Sequence, residues 1–260
     1  MEFLNGTFSW IDLATDDQAG AERFYASLFD LDSYHAPIDD GGHYVMLTKA
    51  GKAVAGIGAK PDPGMPTAWQ SYIHVDDVDD AARRAGEHGG TVLMGPFDVM
   101  ESGRMAVIVD PTGAVVSLWQ PGAHGGGDVF NEHGTHTWNE LMTRDVDTAL
   151  EFYRDLFGWT YSAIPMGDQG AYHVINVPDK EGDPTNGGIM GMAGIVPDEV
   201  PPHWDVYFWV DDADATIERA VSLGGSIVAG PMDTSGGRLA YLADPQGGMF
   251  YVITPSIPAP

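Results

Sequence analysis

The sequence repeats itself, and a duplicated chain folds as two copies of one plan. Trp10-Ile11-Asp12-Leu13 is answered by Trp138-Asn139-Glu140-Leu141. Phe24-Tyr25-Ala26-Ser27-Leu28-Phe29 is answered by Phe152-Tyr153-Arg154-Asp155-Leu156-Phe157, and both matches lie 128 positions apart. Further along, Trp69-Gln70-Ser71-Tyr72 matches Trp204-Asp205-Val206-Tyr207, Gly103-Arg104 matches Gly237-Arg238, and Asp110-Pro111-Thr112-Gly113 matches Asp244-Pro245-Gln246-Gly247, now 134 or 135 positions apart. Two homologous domains are expected, 6–121 and 134–256. The stretch 122–133 is expected to be a linker, with a glycine-rich start of flexible composition.

Each repeat divides again. Asp17 precedes Ala21, Phe24, Tyr25 and Leu28, one apolar face of a helix with Asp at its N-cap. Asp145 precedes Ala149, Phe152, Tyr153 and Leu156 in the same way. A second helix per repeat starts after Asp77 and after Asp212 and stops at Gly89-Gly90 and Gly224-Gly225. Short strands bounded by turn residues follow, at 44–47, 53–57, 91–94, 105–110 and 114–119. The plan is β-α-β-β-β, four times over, an α+β architecture. A helix covers one face of each small sheet and leaves the other open. Two such units curling together predict a concave mixed sheet with a cavity on its open face.

Composition removes several functions. Lys and Arg number 12 against 38 Asp and Glu, a net charge of −26, so nucleic acid and anionic membranes are excluded as partners. There is no Cys, hence no disulfide, thiol nucleophile or iron–sulfur cluster. No apolar run approaches the ~20 residues that span a bilayer, and no secretory signal is visible, so a cytoplasmic monomer or homodimer is expected. There is no Gly-x-Ser-x-Gly elbow, and Gly187-Gly188-Ile189-Met190-Gly191 lacks the helix and Lys of a phosphate loop; it reads as a strand bend.

The motifs Asp17…Phe24-Tyr25…Leu28-Phe29 and Asp145…Phe152-Tyr153…Leu156-Phe157-Gly158-Trp159, the Val-Asp-Asp helix starts and the two Asp-Pro-x-Gly turns resemble the vicinal oxygen chelate superfamily. That superfamily includes glyoxalase I, extradiol dioxygenases and bleomycin-resistance proteins. The Trp-x-[Asp/Glu]-Leu starts and Gly-Arg-x-Ala segments are similar to a tandem actinobacterial subgroup, which holds a mycobacterial glyoxalase-like antigen and streptomycete proteins labelled hydroxylases. The resemblance implies two tandem glyoxalase-like domains. It also implies three places per domain where relatives carry metal ligands. Here those places are Trp10, Gln70 and Ser117 in the first domain and Trp138, Asp205 and Tyr251 in the second. Trp and Ser do not supply the imidazole or carboxylate a divalent ion needs, so no cofactor is expected. The alternative is a weakly held divalent metal on a displaced set, Asp12 with His74 or Glu140 with Asp205.

Strand alternation places further residues on the same faces. The first cavity is expected to hold Trp10, Asp12, Gln70, Tyr72, His74, Ser117 and Trp119. The second is expected to hold Trp138, Glu140, Asp205, Tyr207, Trp209 and Tyr251. Such a lining suits a small, flat, largely apolar ligand. Asp12 and Glu140 are candidate general bases, or carboxylates neutralised by Arg104 and Arg238. Trp69 and Trp204 face the other way and are expected to fill the core. Two activities are open: a metal-independent binding protein, or a lyase, isomerase or hydroxylase-type enzyme acting on a small aromatic or dicarbonyl compound.

Overall fold

A computed structural model describes residues 3–39 and 41–256. The first motif is β1 (Phe8–Thr15), α1 (Gln18–Phe29), β2 (Asp32–Pro37), β3 (His43–Lys49) and β4 (Lys52–Ala59). The second is β5 (Ala68–His74), α2 (Val78–Glu87), β6 (Thr91–Val99), β7 (Gly103–Val109) and β8 (Val115–Pro121). The third runs β9 (His136–Thr143), α3 (Val146–Phe157), β10 (Thr160–Pro165), β11 (Ala171–Asn176) and β12 (Thr185–Gly191), with a short 3-10 turn at Gly167–Gln169. The fourth is β13 (His203–Trp209), α4 (Ala213–Ser222), β14 (Ser226–Thr234), β15 (Gly237–Ala243) and β16 (Met249–Pro255).

Among the described residues the result is α+β: two eight-stranded mixed sheets and four α-helices. Within a motif, the first strand pairs parallel with the last, and the rest are antiparallel. The orders are β2-β3-β4-β1, β5-β8-β7-β6, β10-β11-β12-β9 and β13-β16-β15-β14. All four helices start as the sequence predicts. Asp17, Asp77, Asp145 and Asp212 are N-caps whose carboxylates accept from Gly20, Asp80, Thr148 and Ala215 amides. The α3 helix stops at Gly158 in the left-handed region (φ 74°), where a side chain is disfavoured. The β2 strand escapes the sequence reading because Asp-Ser-Tyr-His-Ala-Pro lies at a sheet edge with five of six residues exposed and no apolar alternation.

The chain forms two compact units. One holds the described residues through Ser9, with Ser71–Gly126 and Trp138–Asp205. The other holds the described residues of 10–70, Gly127–Thr137 and the described residues from Val206 on. Each unit has its own core, and each core takes one motif from each sequence repeat. In the first unit, Val78, Ala82 and Ala85 of α2 join Phe152, Tyr153 and Leu156 of α3 and Trp159, which is fully buried. In the second, Phe24, Tyr25 and Phe29 of α1 join Ile217 and Ala220 of α4 with Phe208 and Phe250. Trp69 and Trp204 belong to these cores as expected. Trp69 Nε1 donates to Tyr25 Oη and Trp204 Nε1 to Tyr153 Oη, both at 3.0 Å. Each tyrosine in turn donates to a buried Asp-Pro-x-Gly carboxylate, Tyr25 to Asp244 (2.8 Å) and Tyr153 to Asp110 (2.9 Å). Burial lifts both phenols well above their usual pKa, and the neighbouring carboxylate lifts them further.

The glycine-rich stretch between the repeats is tied down despite its composition. Gly122 and Ala123 amides donate to Ser102 and Glu101 carbonyls, and Asp128 exchanges hydrogen bonds with Ala53.

Candidate functional site

Alternation along each strand sends every second residue toward the helices and the others to the opposite face. In β9 of the first unit, Leu141 enters the core while Trp138 and Glu140 face away from it. Trp138 Nε1 donates to Tyr172 Oη at 2.7 Å, and the Tyr172 hydroxyl is hydrogen-bonded to Glu140. Burial raises the Tyr172 phenol well above its usual pKa, and the Glu140 charge adds to the rise. Tyr172 reaches over β12 only because its path is clear. A Cβ on Gly188, the register partner of Glu140, would lie 1.9 Å from Tyr172 Oη. The suspected strand bend at Gly187–Gly191 is thus a strand with a gap cut for a tyrosine.

The other unit carries the same arrangement. Trp10 Nε1 donates to Tyr44 Oη at 3.0 Å, and Tyr44 Oη donates to Asp12 Oδ2 at 2.8 Å. Gly56, the partner of Asp12, provides the gap; a Cβ there would lie 1.8 Å from Tyr44 Oη. Tyr44 and Tyr172 are 128 positions apart, the same shift as Trp10 and Trp138. That matched pair was the available signal for both tyrosines.

Next to Asp205, the first unit adds a histidine that the sequence analysis did not single out. His203 Nδ1 lies 2.8 Å from the Pro201 carbonyl, and Nε2 lies 3.3 Å from Asp205 Oδ2. Only an imidazolium donates from both nitrogens. Burial by itself lowers the His203 pKa. The bond and charge of Asp205, the Pro201 carbonyl and the charge of Glu140 outweigh it, so the net shift is upward. Asp205 and Glu140 are both buried. The repeat-equivalent position in the first domain is Ala68, so this cluster has no counterpart there.

A prediction follows with its sign. A folded-state histidine pKa above the unfolded value of about 6.5 contributes stability that is full below that value. The contribution is lost as pH rises through the folded pKa. NMR titration of His203 should give a midpoint above 6.5. Asp205→Asn should bring it below, because burial persists without the counter-charge. A wild-type midpoint at or below 6.5 would contradict the imidazolium.

The remaining candidate residues of the first unit line the open face of β5 and β8. Tyr72 stands opposite Ser117 and His74 opposite Trp119. Trp119 Nε1 donates to the His124 carbonyl at 3.0 Å. Ser117 Oγ and His74 Nδ1 are buried without a hydrogen-bond partner among the described residues. Burial lowers the His74 pKa, against the opposing pull of Asp76. In the second unit, Gln70 is half-buried, its Nε2 without a partner among the described residues. Trp209 stands opposite Ile253. Tyr207, Tyr251 and Tyr241 form a stack across three adjacent strands. Ring centroids are 4.3 Å apart at each step, with interplanar angles of 7° and 23°. Tyr241 is a further residue the sequence reading missed.

Arg104 and Arg238 are a correction. Neither neutralises Asp12 or Glu140. Arg104 is forked onto Asp79 and also holds Asp98; Arg238 does the same with Asp214 and Asp233. These are partly exposed networks joining a helix start to a hairpin. A guanidinium finds its carboxylates there without being desolvated. The surface pocket that includes Asn5, Asp77, Arg84 and Phe157 contains none of the candidate residues.

The donor set at the metal-type positions does not fit a divalent ion. An indole offers no free lone pair, and Trp10 and Trp138 each give their N–H to a tyrosine. Asp205 is engaged by His203. Among the described residues, no three His, Asp or Glu side chains gather as ligands.

Comparison with known proteins agrees with the geometry of the repeated motif. The family described as Glyoxalase/Bleomycin resistance protein/Dioxygenase superfamily matches residues 7–118, and a Glyoxalase-like domain matches residues 139–253. The chain belongs to this superfamily, in tandem form. Among relatives, "Putative glyoxylase CFP32" of Mycobacterium tuberculosis is 45% identical over 98% of this chain and 97% of its own. The anthracycline biosynthesis protein DnrV of Streptomyces peucetius is 35% identical over 96% of this chain and 94% of its own. Two solved structures share the fold. One is the Mn(II)-bound glyoxalase from Novosphingobium aromaticivorans (TM-score 0.66, 15% identity, 96% and 83% coverage). The other is the 2,3-dioxygenase LapB from Pseudomonas sp. KL28 (TM-score 0.65, 14% identity, 99% and 96% coverage). No helix among the described residues is long and apolar enough to cross a membrane.

Proposed function

We propose that the chain binds a small, flat, largely apolar molecule of aromatic or polyketide type, on sheet faces that hold no resident metal. The observation that carries this reading is the repeated Trp–Tyr–carboxylate network. At the positions where the resemblance implies metal donors, both repeats present an indole hydrogen-bonded to a half-buried tyrosine. An aromatic wall with a few fixed polar groups recognises a planar guest by its faces and orients it by its oxygens. The relationship to an anthracycline biosynthesis protein gives the chemical class its support.

The experiment is a titration of intrinsic tryptophan fluorescence with 1,8-dihydroxyanthraquinone, before and after stripping with EDTA. Quenching should saturate with the same Kd in both samples. Tyr172→Phe or Glu140→Gln should weaken it about tenfold. Quenching that vanishes on stripping and returns with Mn(II), Fe(II), Ni(II) or Zn(II) would overturn the metal-free reading.

One observation favours a second reading, catalysis. His203, raised in pKa chiefly by Asp205, also feels the charge of Glu140, and an acid within the field of a carboxylate is what a lyase, isomerase or hydroxylase-type enzyme needs for a dicarbonyl or phenolic substrate. On this reading Glu140 takes a proton and the His203 imidazolium stabilises developing negative charge. Asp12, with no histidine at the equivalent position, serves binding only. Activity lost in Glu140→Gln and kept in Asp12→Asn is the expected signature.

A further inference from the structure

The surface pocket of the first unit holds an arginine whose counterpart in the second unit grips a carboxylate. The pocket offers about 180 Å³ beside the start of α2 and the end of α3. Leu156 and Phe157 give it an apolar wall, and Asp76, Asp77, Asp80 and Arg84 supply its charges. That volume is below the roughly 300–1,000 Å³ of drug-sized sites, so its guest is small.

The duplication supplies an internal comparison. Arg84 of α2 corresponds to Arg219 of α4, and Gly158, which ends α3, corresponds to Asp30, which ends α1. Both end residues are left-handed, with φ 74° at Gly158 and 53° at Asp30. In the second unit the Asp30 carboxylate is forked onto Arg219, Oδ1 to Nη2 at 2.7 Å and Oδ2 to Nη1 at 3.4 Å. Glycine removes that carboxylate from the first unit. Arg84 keeps one hydrogen bond, from Nη2 to the Asp155 carbonyl at 2.7 Å, and pairs with no carboxylate among the described residues. A Cβ on Gly158 would meet nothing closer than a Pro178 carbon at 3.7 Å, so the place of the missing side chain is open. A second difference adds negative charge, since Asp80 stands where the other unit has Ala215. Asp80 is bridged to Arg83, and one Asp77 oxygen accepts the Asp80 amide. The Asp76 side chain is 80% exposed, with a His74 nitrogen 3.5 Å away.

We propose that this pocket binds a small zwitterion, an α-amino acid with an apolar side chain. Its carboxylate takes the fork of Arg84, in the place that Asp30 fills in the second unit. Its ammonium group lies against Asp76 and Asp77, and its side chain against Leu156 and Phe157. A guanidinium holds a carboxylate through two parallel N–H bonds, which fixes the orientation of the guest. A simple anion is repelled by the three aspartates and by the net charge of −26, and a simple cation by Arg84. A molecule carrying both charges satisfies both sets. The pocket shares no residue with the Trp–Tyr–carboxylate networks, so the proposal stands independently of the flat-ligand reading.

The test is an NMR titration of the full chain with L-leucine, read on the backbone amides of Asp77 and Arg84. Two analogues are titrated in parallel: 4-methylpentanoate, which lacks the amine, and 3-methylbutylamine, which lacks the carboxylate. L-Leucine should shift both amides and bind at least about tenfold more tightly than either analogue. Gly158→Asp, which reproduces the Asp30 arrangement, should weaken leucine binding at least about tenfold, with a urea midpoint at or above that of wild type. Arg84→Met, which keeps the apolar stem, should weaken it as much. Neither variant should alter quenching by 1,8-dihydroxyanthraquinone. Absence of a shift with millimolar L-leucine in wild type, or undiminished affinity in Gly158→Asp and Arg84→Met, would overturn the site. An analogue that binds as tightly as L-leucine would overturn the zwitterion. Each of these results leaves the flat-ligand reading untouched.

Discussion

Asp110→Ala should destabilise the protein by about 4 kcal/mol, because it leaves several buried donors without an acceptor, each costing roughly 1–3 kcal/mol. One oxygen of Asp110 accepts from the Thr112 amide and hydroxyl and the Ala114 amide, and the other accepts from Tyr153 Oη. The side chain is 3% exposed, so water does not replace it readily. Tyr153→Phe should cost only about 1–2 kcal/mol, since the carboxylate keeps its other donors. Asp244→Ala should behave like Asp110→Ala, as Asp244 holds Tyr25 and the Gln246 and Gly248 amides in the repeated geometry. Urea denaturation midpoints measure all three. A loss below about 1 kcal/mol in Asp110→Ala would show that the turn rearranges to satisfy itself.

The largest functional effect is expected at a residue with no side chain. Gly188→Ala puts a methyl group where Tyr172 Oη and Cζ now lie, at 1.9 and 2.3 Å. The ring must swing out, breaking its bonds to Trp138 and Glu140 together. Binding of 1,8-dihydroxyanthraquinone should weaken at least about tenfold, equivalent to about 1.4 kcal/mol. Gly191→Ala is the control, since its added methyl meets only a Val146 methyl at 3.7 Å. Equal affinities for the two variants would mean that the Tyr172 network does not shape the site.

The elements that the sequence revealed share a cause. Four Asp N-caps, the Phe-Tyr-x-x-Leu helix faces and the Asp-Pro-x-Gly turns are local signals with local physics, repeated, so each copy supports the other. Strands β3, β4, β7 and β8 carry enough apolar residues to be seen, while β2 and its equivalent β10 are exposed edges whose pairing comes from the backbone. The site was legible as faces and illegible as bonds. Trp10, Asp12, Trp138 and Glu140 follow from alternation. Tyr44 and Tyr172 reach them from another strand, across glycines whose role exists only in three dimensions. The misplaced arginines show the same limit. Charge on a sequence does not say which carboxylate is near, and Asp79 and Asp214 sit at helix starts that the hairpins carrying Arg104 and Arg238 fold against.

The shared cores have a consequence for how the chain matures on the ribosome. Residues 10–70 emerge well before Phe208 and Phe250, with which Phe24, Tyr25 and Phe29 pack from more than half the sequence away. Contacts so distant along the chain close late and slowly. Until residues 206–252 are made, the α1 face is covered only by its own part of the chain, Val45, Leu47, Ile57 and Trp69 among it. A nascent chain of this design depends on its acidity, or on a chaperone's patience, to stay out of aggregates in the meantime.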